Sequence, residues 1–309
     1  PKSLYSNQLI ANIVDMHFNL GVPINRISKQ YFLNDATVIG ILQMVAEELE
    51  GHIRQIVTAY RNSPVKHADE TSWRVDGQNG YTWLFATEKL SIFKFGESRS
   101  ATVPKQVFGE SELPGVLIVD RYNGYNQLKV KIQYCYAHLM RDVEKLGEKY
   151  PESTEVQNFV AALVPKLAEA MKLRNQDISD DEFKKKAENL KKAILKIVKS
   201  GSKHPGIKKM QEIFLNNAER MYHWTDRKVP ADNNLAERDL RPSVIARKVS
   251  YGSASKKGAE TRSILTSICA TLKKQNQNVN EKIKQVLDLI ADQKPEEIFR
   301  TLFPEMEYS

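Results

Sequence analysis

The feature that most constrains this fold is the run Val116-Leu117-Ile118-Val119, which opens after Gly115 and closes on Asp120 and the turn-forming Arg-Tyr-Asn-Gly. Such a run reads as a buried central strand over Gly115 to Asp120. It delivers an acid to its carboxyl end, where open α/β sheets build their sites. Two further acids stand in telling contexts. Asp69, in His-Ala-Asp-Glu-Thr-Ser-Trp, opens or ends a short β-like stretch that continues through Trp73 and Val75. Glu237, in Ala-Asp-Asn-Asn-Leu-Ala-Glu-Arg-Asp-Leu-Arg-Pro, follows a turn and reads as helical, with Asn233, Glu237 and Arg241 on one face. Two strand acids and one helix acid can converge on a divalent metal.

The rest of the chain sorts by periodicity. Residues 1–65 read as helical: one helix carries Leu9, Ile10, Ile13, Val14 and Phe18 and stops at Gly21 and Pro23, a short one spans Ile24 to Phe32, and a long one spans Ala36 to Tyr60. Short helix, turn and long helix resemble a helix-turn-helix. The scarcity of basic residues at the start of the long segment favours a bracing bundle or a dimer contact. Residues 66–151 alternate: hairpin strands over Tyr81 to Thr87 and Ser91 to Phe95, a helix over Ala101 to Phe108, the central strand, a strand over Lys131 to Tyr136, and a helix over Ala137 to Lys149. Residues 152–226 are Lys-rich and helical, with the stripe Phe183, Ala187, Leu190, Ile194. The 117 residues from Asp120 to Glu237, against 51 from Asp69 to Asp120, imply a helical insertion there. Residues 227–280 carry Glu237, a strand or turn over Lys248 to Tyr251 and a buried helix over Glu260 to Leu272, and residues 281–309 form a helical tail.

The strings around these acids, His-Ala-Asp-Glu-Thr, Val-Asp-Arg-Tyr-Asn-Gly-Tyr-Asn, Cys-Tyr-Ala-His-Leu-Met-Arg-Asp and the long block from Ala231 to Ile268, resemble the insertion sequence 66 family of bacterial transposases. The resemblance covers the chain to about residue 280 and is most specific at Ala236 to Pro242. It implies a DDE enzyme on an RNase H-like fold: a mixed sheet flanked by helices, with an all-helical insertion and a helical N-terminal region. It also implies DNA strand cleavage and transfer with Mg²⁺, for which Mn²⁺ can substitute, and it assigns Asp69, Asp120 and Glu237 as the catalytic metal ligands, with Asp69 bridging two ions. The family carries an upstream coiled-coil and zinc-binding region; a chain that begins at Pro1 and holds two cysteines is expected to be a truncated or processed form.

Each acid also has a purely structural reading: Asp120 as a turn former, Asp69 as a cap, Glu237 as the i,i+4 partner of Arg241. Glu70 and Asp239 are decoys beside them. Arg238, Arg241, Arg247 and Lys248 flank Glu237 and are the expected DNA contacts, since guanidinium groups clamp phosphates bidentately. Cys135 and His138 form a Cys-x-x-His pair beside the last strand. Zinc would need two more soft ligands, so an auxiliary role is expected.

The formal charge of +8 suits a polyanionic partner, and it is localised: ten Lys against two Glu between Glu182 and Lys209, and seven basic residues against two acids between Arg238 and Arg262. DNA, as element ends and target, is the expected partner, with a homodimer or higher oligomer on DNA and accessory proteins of the same element. No apolar run reaches membrane length, and two cysteines make no disulfide framework, so a bacterial cytoplasm with association to the nucleoid is expected. The competing readings are an RNase H-like nuclease without transfer and a domesticated, non-catalytic DNA-binding protein. No Gly-x4-Gly-Lys-Ser/Thr loop and no His-x-His pair occur, which disfavours nucleotide hydrolysis and a tyrosine nucleophile.

Overall fold

The computed structural model describes residues 4–290 and 295–306. In chain order the elements are α1 (Asn7–Val14), a π-helical turn Asp15–Asn19, α2 (Ile24–Tyr31), α3 (Asp35–Asn62), β1 (Val65–Ser72), β2 (Arg74–Val75), β3 (Tyr81–Ala86), β4 (Ser91–Gly96), α4 (Thr102–Phe108) and β5 (Val116–Val119). They continue with β6 (Lys131–Tyr134), α5 (Tyr136–Lys149), α6 (Thr154–Leu173), α7 (Asp180–Val198), α8 (Pro205–Asn216), α9 (Asn234–Ser250), β7 (Gly252–Ser253), α10 (Lys256–Lys274), α11 (Val279–Leu289) and α12 (Pro295–Leu302). The main sheet has five strands in the order β4-β3-β1-β5-β6. It is mixed: β1 with β3 and β3 with β4 are antiparallel, whereas β5 and β6 are parallel. A mixed sheet flanked by helices is the architecture expected of an RNase H-like fold.

Among the described residues the chain divides into two compact units, one drawn from Pro1–Ser63, His67–Leu113 and Leu235–Ser309, the other from Pro64–Lys66 and Pro114–Asn234. In the first unit α3 starts where the Asn34 side chain accepts from Thr37 N at 2.7 Å, and it buries Val38, Leu42, Val45, Leu49 and Ile56 at helical spacing. Strand β4 lies at the sheet edge, where unpaired backbone groups are costly to bury. Helix α10 answers them with side chains: Ser267 Oγ accepts from Phe93 N at 2.7 Å, and Thr271 Oγ1 accepts from Ser91 N and donates to Ser91 O, both at 3.1 Å. These contacts explain two fully buried hydroxyls on this helix.

In the second unit Val116 and Ile118 pack with Val229 and Val65. The approach to β5 is close: Val116 N donates to Pro64 O at 2.9 Å, and Gly115 has φ of 79° with room for no Cβ, which would lie 2.2 Å from Pro64 O. Helices α6, α7 and α8 follow α5, and the described residues from 152 to 226 contain no strand. Buried Lys66 donates to Pro114 O at 2.5 Å, and burial pushes its pKa from 10.5 down to about 8. Because the folded value is the lower one, the unfolded chain holds the extra proton, and the resulting penalty on folding is complete below about pH 8 and fades toward pH 10.5. Thermal melts should therefore show wild type gaining on Lys66→Met across that window; parallel curves for the two proteins would refute the assignment.

Several sequence expectations are corrected. Asp69 neither opens nor ends its strand; it sits inside the eight-residue β1, because β1 pairs residue by residue with β3 from His67–Ala86 to Ser72–Tyr81. The strand then breaks, with Trp73 between β1 and β2. Tyr136 belongs to α5 rather than to the preceding strand. Asn233 precedes α9 instead of sharing its face with Glu237. Residues 248–250 are helical, not strand, and only Gly252–Ser253 pair, in parallel with β2.

Candidate active site

In the second unit, Asp120 is the residue directly after β5, half-buried, with its Oδ1 accepting from Tyr122 N at 2.9 Å. That Asx-type bond curls the chain away from the sheet and fixes the carboxylate at the strand end. The neighbouring Arg121 pairs with Asp142 on α5, which holds the turn from its other side. The parallel strand β6 reaches the same level: Cys135 N donates to Val119 O at 2.8 Å.

Cys135 joins the segment leading into α9. Its Sγ accepts from Asn233 N at 3.2 Å, and Tyr136 N donates to Ala231 O at 2.8 Å. Burial pushes the Cys135 thiol up to about 11, while backbone N–H groups of His138, Asn233 and Ala137 pull the other way. Buried and bonded to Asn233 N, Cys135 packs this segment against the lead into α9. His138 stands half-buried on the first turn of α5.

A polar network that the sequence gives no local sign of supports this segment from below. Tyr136 Oη donates to Met221 O at 2.7 Å and accepts from Trp224 Nε1 at 2.7 Å. Gln133 Oε1 accepts from Trp224 N at 3.1 Å, and its Nε2 donates to Tyr134 O and Met221 O. All three side chains are buried and satisfied, the condition under which such a network rigidifies its surroundings.

In the first unit, Asp69 is the cross-strand partner of Leu84, and directly opposed residues share a sheet face. Leu84 packs with Ala236 and Leu240 of α9. Helix α9 therefore covers the face toward which Asp69 points, and Glu237, next to Ala236 in sequence, is half-buried. The far part of the helix is tied down by Arg247, whose Nη1 donates to Ser72 O at 2.8 Å and also to Ser72 Oγ. Arg238, Arg241 and Lys248 are exposed on the outer side of α9.

The decoy acids are engaged elsewhere. Glu70 pairs with Arg99 at 2.5 Å with its own side chain only 1% exposed. Asp239 accepts from Ser91 Oγ at 2.9 Å and pairs with Lys274, both partners of that ion pair being nearly buried. Arg262 stacks over Trp73 with its guanidinium 4.5 Å from the ring centroid, and burial lowers its pKa to about 10.

The uncharacterized protein y4qI of Sinorhizobium fredii (strain NBRC 101917 / NGR234) is 23% identical over an alignment covering 97% of this chain and 62% of the relative, so the chain spans less than two thirds of that relative's length. The sequence model of the Transposase IS66 family matches residues 2–261, a stretch that holds β1 to β7 together with Asp69, Asp120 and Glu237. A match over that much of the chain, on a mixed sheet flanked by helices, establishes that this protein belongs to the IS66 family of transposases.

Proposed function

We propose that this chain cleaves DNA at the ends of an insertion element and transfers the cut strand to a target, with Asp69, Asp120 and Glu237 as the carboxylates that hold divalent metal. The observation that carries the reading is Asp120: an acid fixed by Tyr122 N at the carboxyl end of a fully buried strand, within the span matched by a transposase family. The donor set suits Mg²⁺, which takes hard oxygen ligands, since all three side chains offer carboxylate oxygens. When bound, a pair of such ions supplies charge neutralisation, an activated water and a stabilised leaving oxygen.

The chain's own groups have separate tasks in this proposal. Arg238, Arg241 and Lys248 contact backbone phosphates and orient the scissile strand. Arg247 acts mainly through β1, since its guanidinium is engaged at Ser72. Cys135 and His138 are positioning residues, with Cys135 fixing the lead into α9 through Asn233 N. Residues 152–226 act as a helical domain inserted into the catalytic core, between a first part at 66–151 and a second at 227–280. The active form is a homodimer or higher oligomer assembled on DNA, aided by accessory proteins of the same element.

The test is incubation of the chain with DNA carrying the element ends, in Mg²⁺, in Mn²⁺ and in a chelator. Metal-dependent nicks with joining of the cut strand to target DNA are expected in both metals. Cleavage that persists in chelator, or none in either metal, would sink the metal assignment, and cleavage without joining would reduce the activity to that of a nuclease.

A further inference from the structure

Helix α9 presents an exposed outer stripe, in which Arg238 lies 3.8 Å from the carboxylate of Asp239 on the same helix. Arg238, Arg241, Ile245, Lys248 and Val249 recur at spacings of three and four and all are exposed, with Ile245 at 56% and Val249 at 61%. Every exposed charged residue on this helix is basic. Directly beyond it stands Tyr251, 79% exposed, with φ of 59°. The left-handed region is unfavourable for an aromatic residue, and helix ends normally place glycine or asparagine there. Among the described residues no ring, cation or hydrogen-bond partner engages the Tyr251 side chain.

The backbone around Tyr251 is held from both sides. Tyr251 N donates to Arg247 O at 2.9 Å, and Gly252–Ser253 then pair in parallel with Arg74–Val75. Asp76 N donates to Ser253 O at 2.9 Å, and Trp73 Nε1 donates to Ser253 Oγ at 3.1 Å. Gly252 cannot be replaced, since a Cβ there would lie 2.1 Å from Arg74 O. The surroundings thus enforce an unfavourable conformation on Tyr251 and fix the backbone from which its exposed ring projects.

We propose that Tyr251 is a stacking platform for an unpaired base at the end of a bound DNA strand. This rests on the reading of DNA as the substrate. An exposed aromatic face at the end of the stripe that carries Arg238, Arg241 and Lys248, with Ile245 and Val249 interleaved, matches a partner that offers anionic phosphates and flat apolar faces together. Single-stranded nucleic acid does so. Paired bases hide their faces in the stack, so the platform selects a frayed or single-stranded end. A protein partner would find no acid among the exposed residues of α9 to complement its own basic groups.

The experiment measures binding of the full chain to a blunt duplex and to the same duplex ending in a short unpaired strand. Tyr251→Ala should weaken binding to the unpaired-ended DNA about tenfold and to the blunt duplex less than about twofold, since stacking on an aromatic ring is removed only where a base is free. Tyr251→Phe should bind as wild type does. Tyr251→Gly, which relieves the left-handed conformation, should melt no lower than wild type yet share the weakened binding of Tyr251→Ala; that combination separates binding from folding. Equal weakening on both DNAs, or weakening on neither, overturns the platform. A dimer that Tyr251→Gly splits into monomers also overturns it and assigns the face to a second copy of the chain. Failure of the wild type to bind either DNA would overturn the reading of DNA as the substrate and this inference with it.

Discussion

Asp120→Asn is expected to reduce metal-dependent cleavage by about a thousandfold or more, because removing a ligand takes away several kcal/mol of transition-state stabilisation and each 1.36 kcal/mol is about tenfold in rate. DNA affinity should change less than about twofold, since phosphate contacts rather than the metal ligands carry it. The substitution is suited to the question. Asparagine keeps the size of aspartate and an Oδ1 that can still accept from Tyr122 N, so the turn after β5 persists while the negative charge goes. Cleavage rate and binding are to be read on the same preparation. Retained cleavage would remove Asp120 from the site, and equal loss of cleavage and binding would indicate a damaged fold.

Asp239, only two residues from Glu237, shows why sequence proximity does not assign a carboxylate. Its oxygens meet Ser91 Oγ and the Lys274 ammonium, and that pair is nearly buried. Removing one member of such a pair strands the other charge, so the loss falls on stability. Glu70 stands in the same relation to Asp69, committed to Arg99. In both cases the neighbouring acid anchors α9 or the sheet.

The parts of the fold legible in the sequence are those where local periodicity and burial agree. The run at Val116 could only be a buried strand, and the alternation from Tyr81 and from Ser91 gave the β3–β4 hairpin to within a residue. Strand β1 was harder. Lys66, His67 and Glu70 give it a polar appearance, and it is a strand because Pro114 O, β3 and Arg99 satisfy those groups from afar. The end of α9 misled for a related reason: Val249 before Gly252 resembles a strand, yet Arg247, bonded to Ser72, helps carry the helix on to Ser250. For the site, the acids stood out through their flanking strings, whereas the network joining Gln133 and Tyr136 to Trp224 crosses about ninety residues of sequence and leaves no periodic trace. Tyr251 was legible only as part of a strand or turn; its exposure and φ emerge from the pinned backbone on either side.

Neutralising Arg238, Arg241 and Lys248 together to glutamine should lower the slope of log Kd against log salt by about 2.7, at about 0.9 for each phosphate that no longer meets a cation, and weaken binding at physiological salt on the order of a hundredfold. Arg247 is left intact because its bonds to Ser72 secure α9, and changing it would mix folding with binding. The informative comparison is with the second basic surface. On α7, Lys184, Lys185, Lys192 and Lys196 are exposed, whereas Lys186 and Lys191 are already paired with Glu182 and Glu188. If α9 carries the DNA near Glu237, the glutamine variant of those four lysines should shift the slope far less than the α9 variant does. If the helical insertion carries the DNA instead, the order reverses, and an unchanged slope in the α9 variant would rule out its outer face as the path of the DNA.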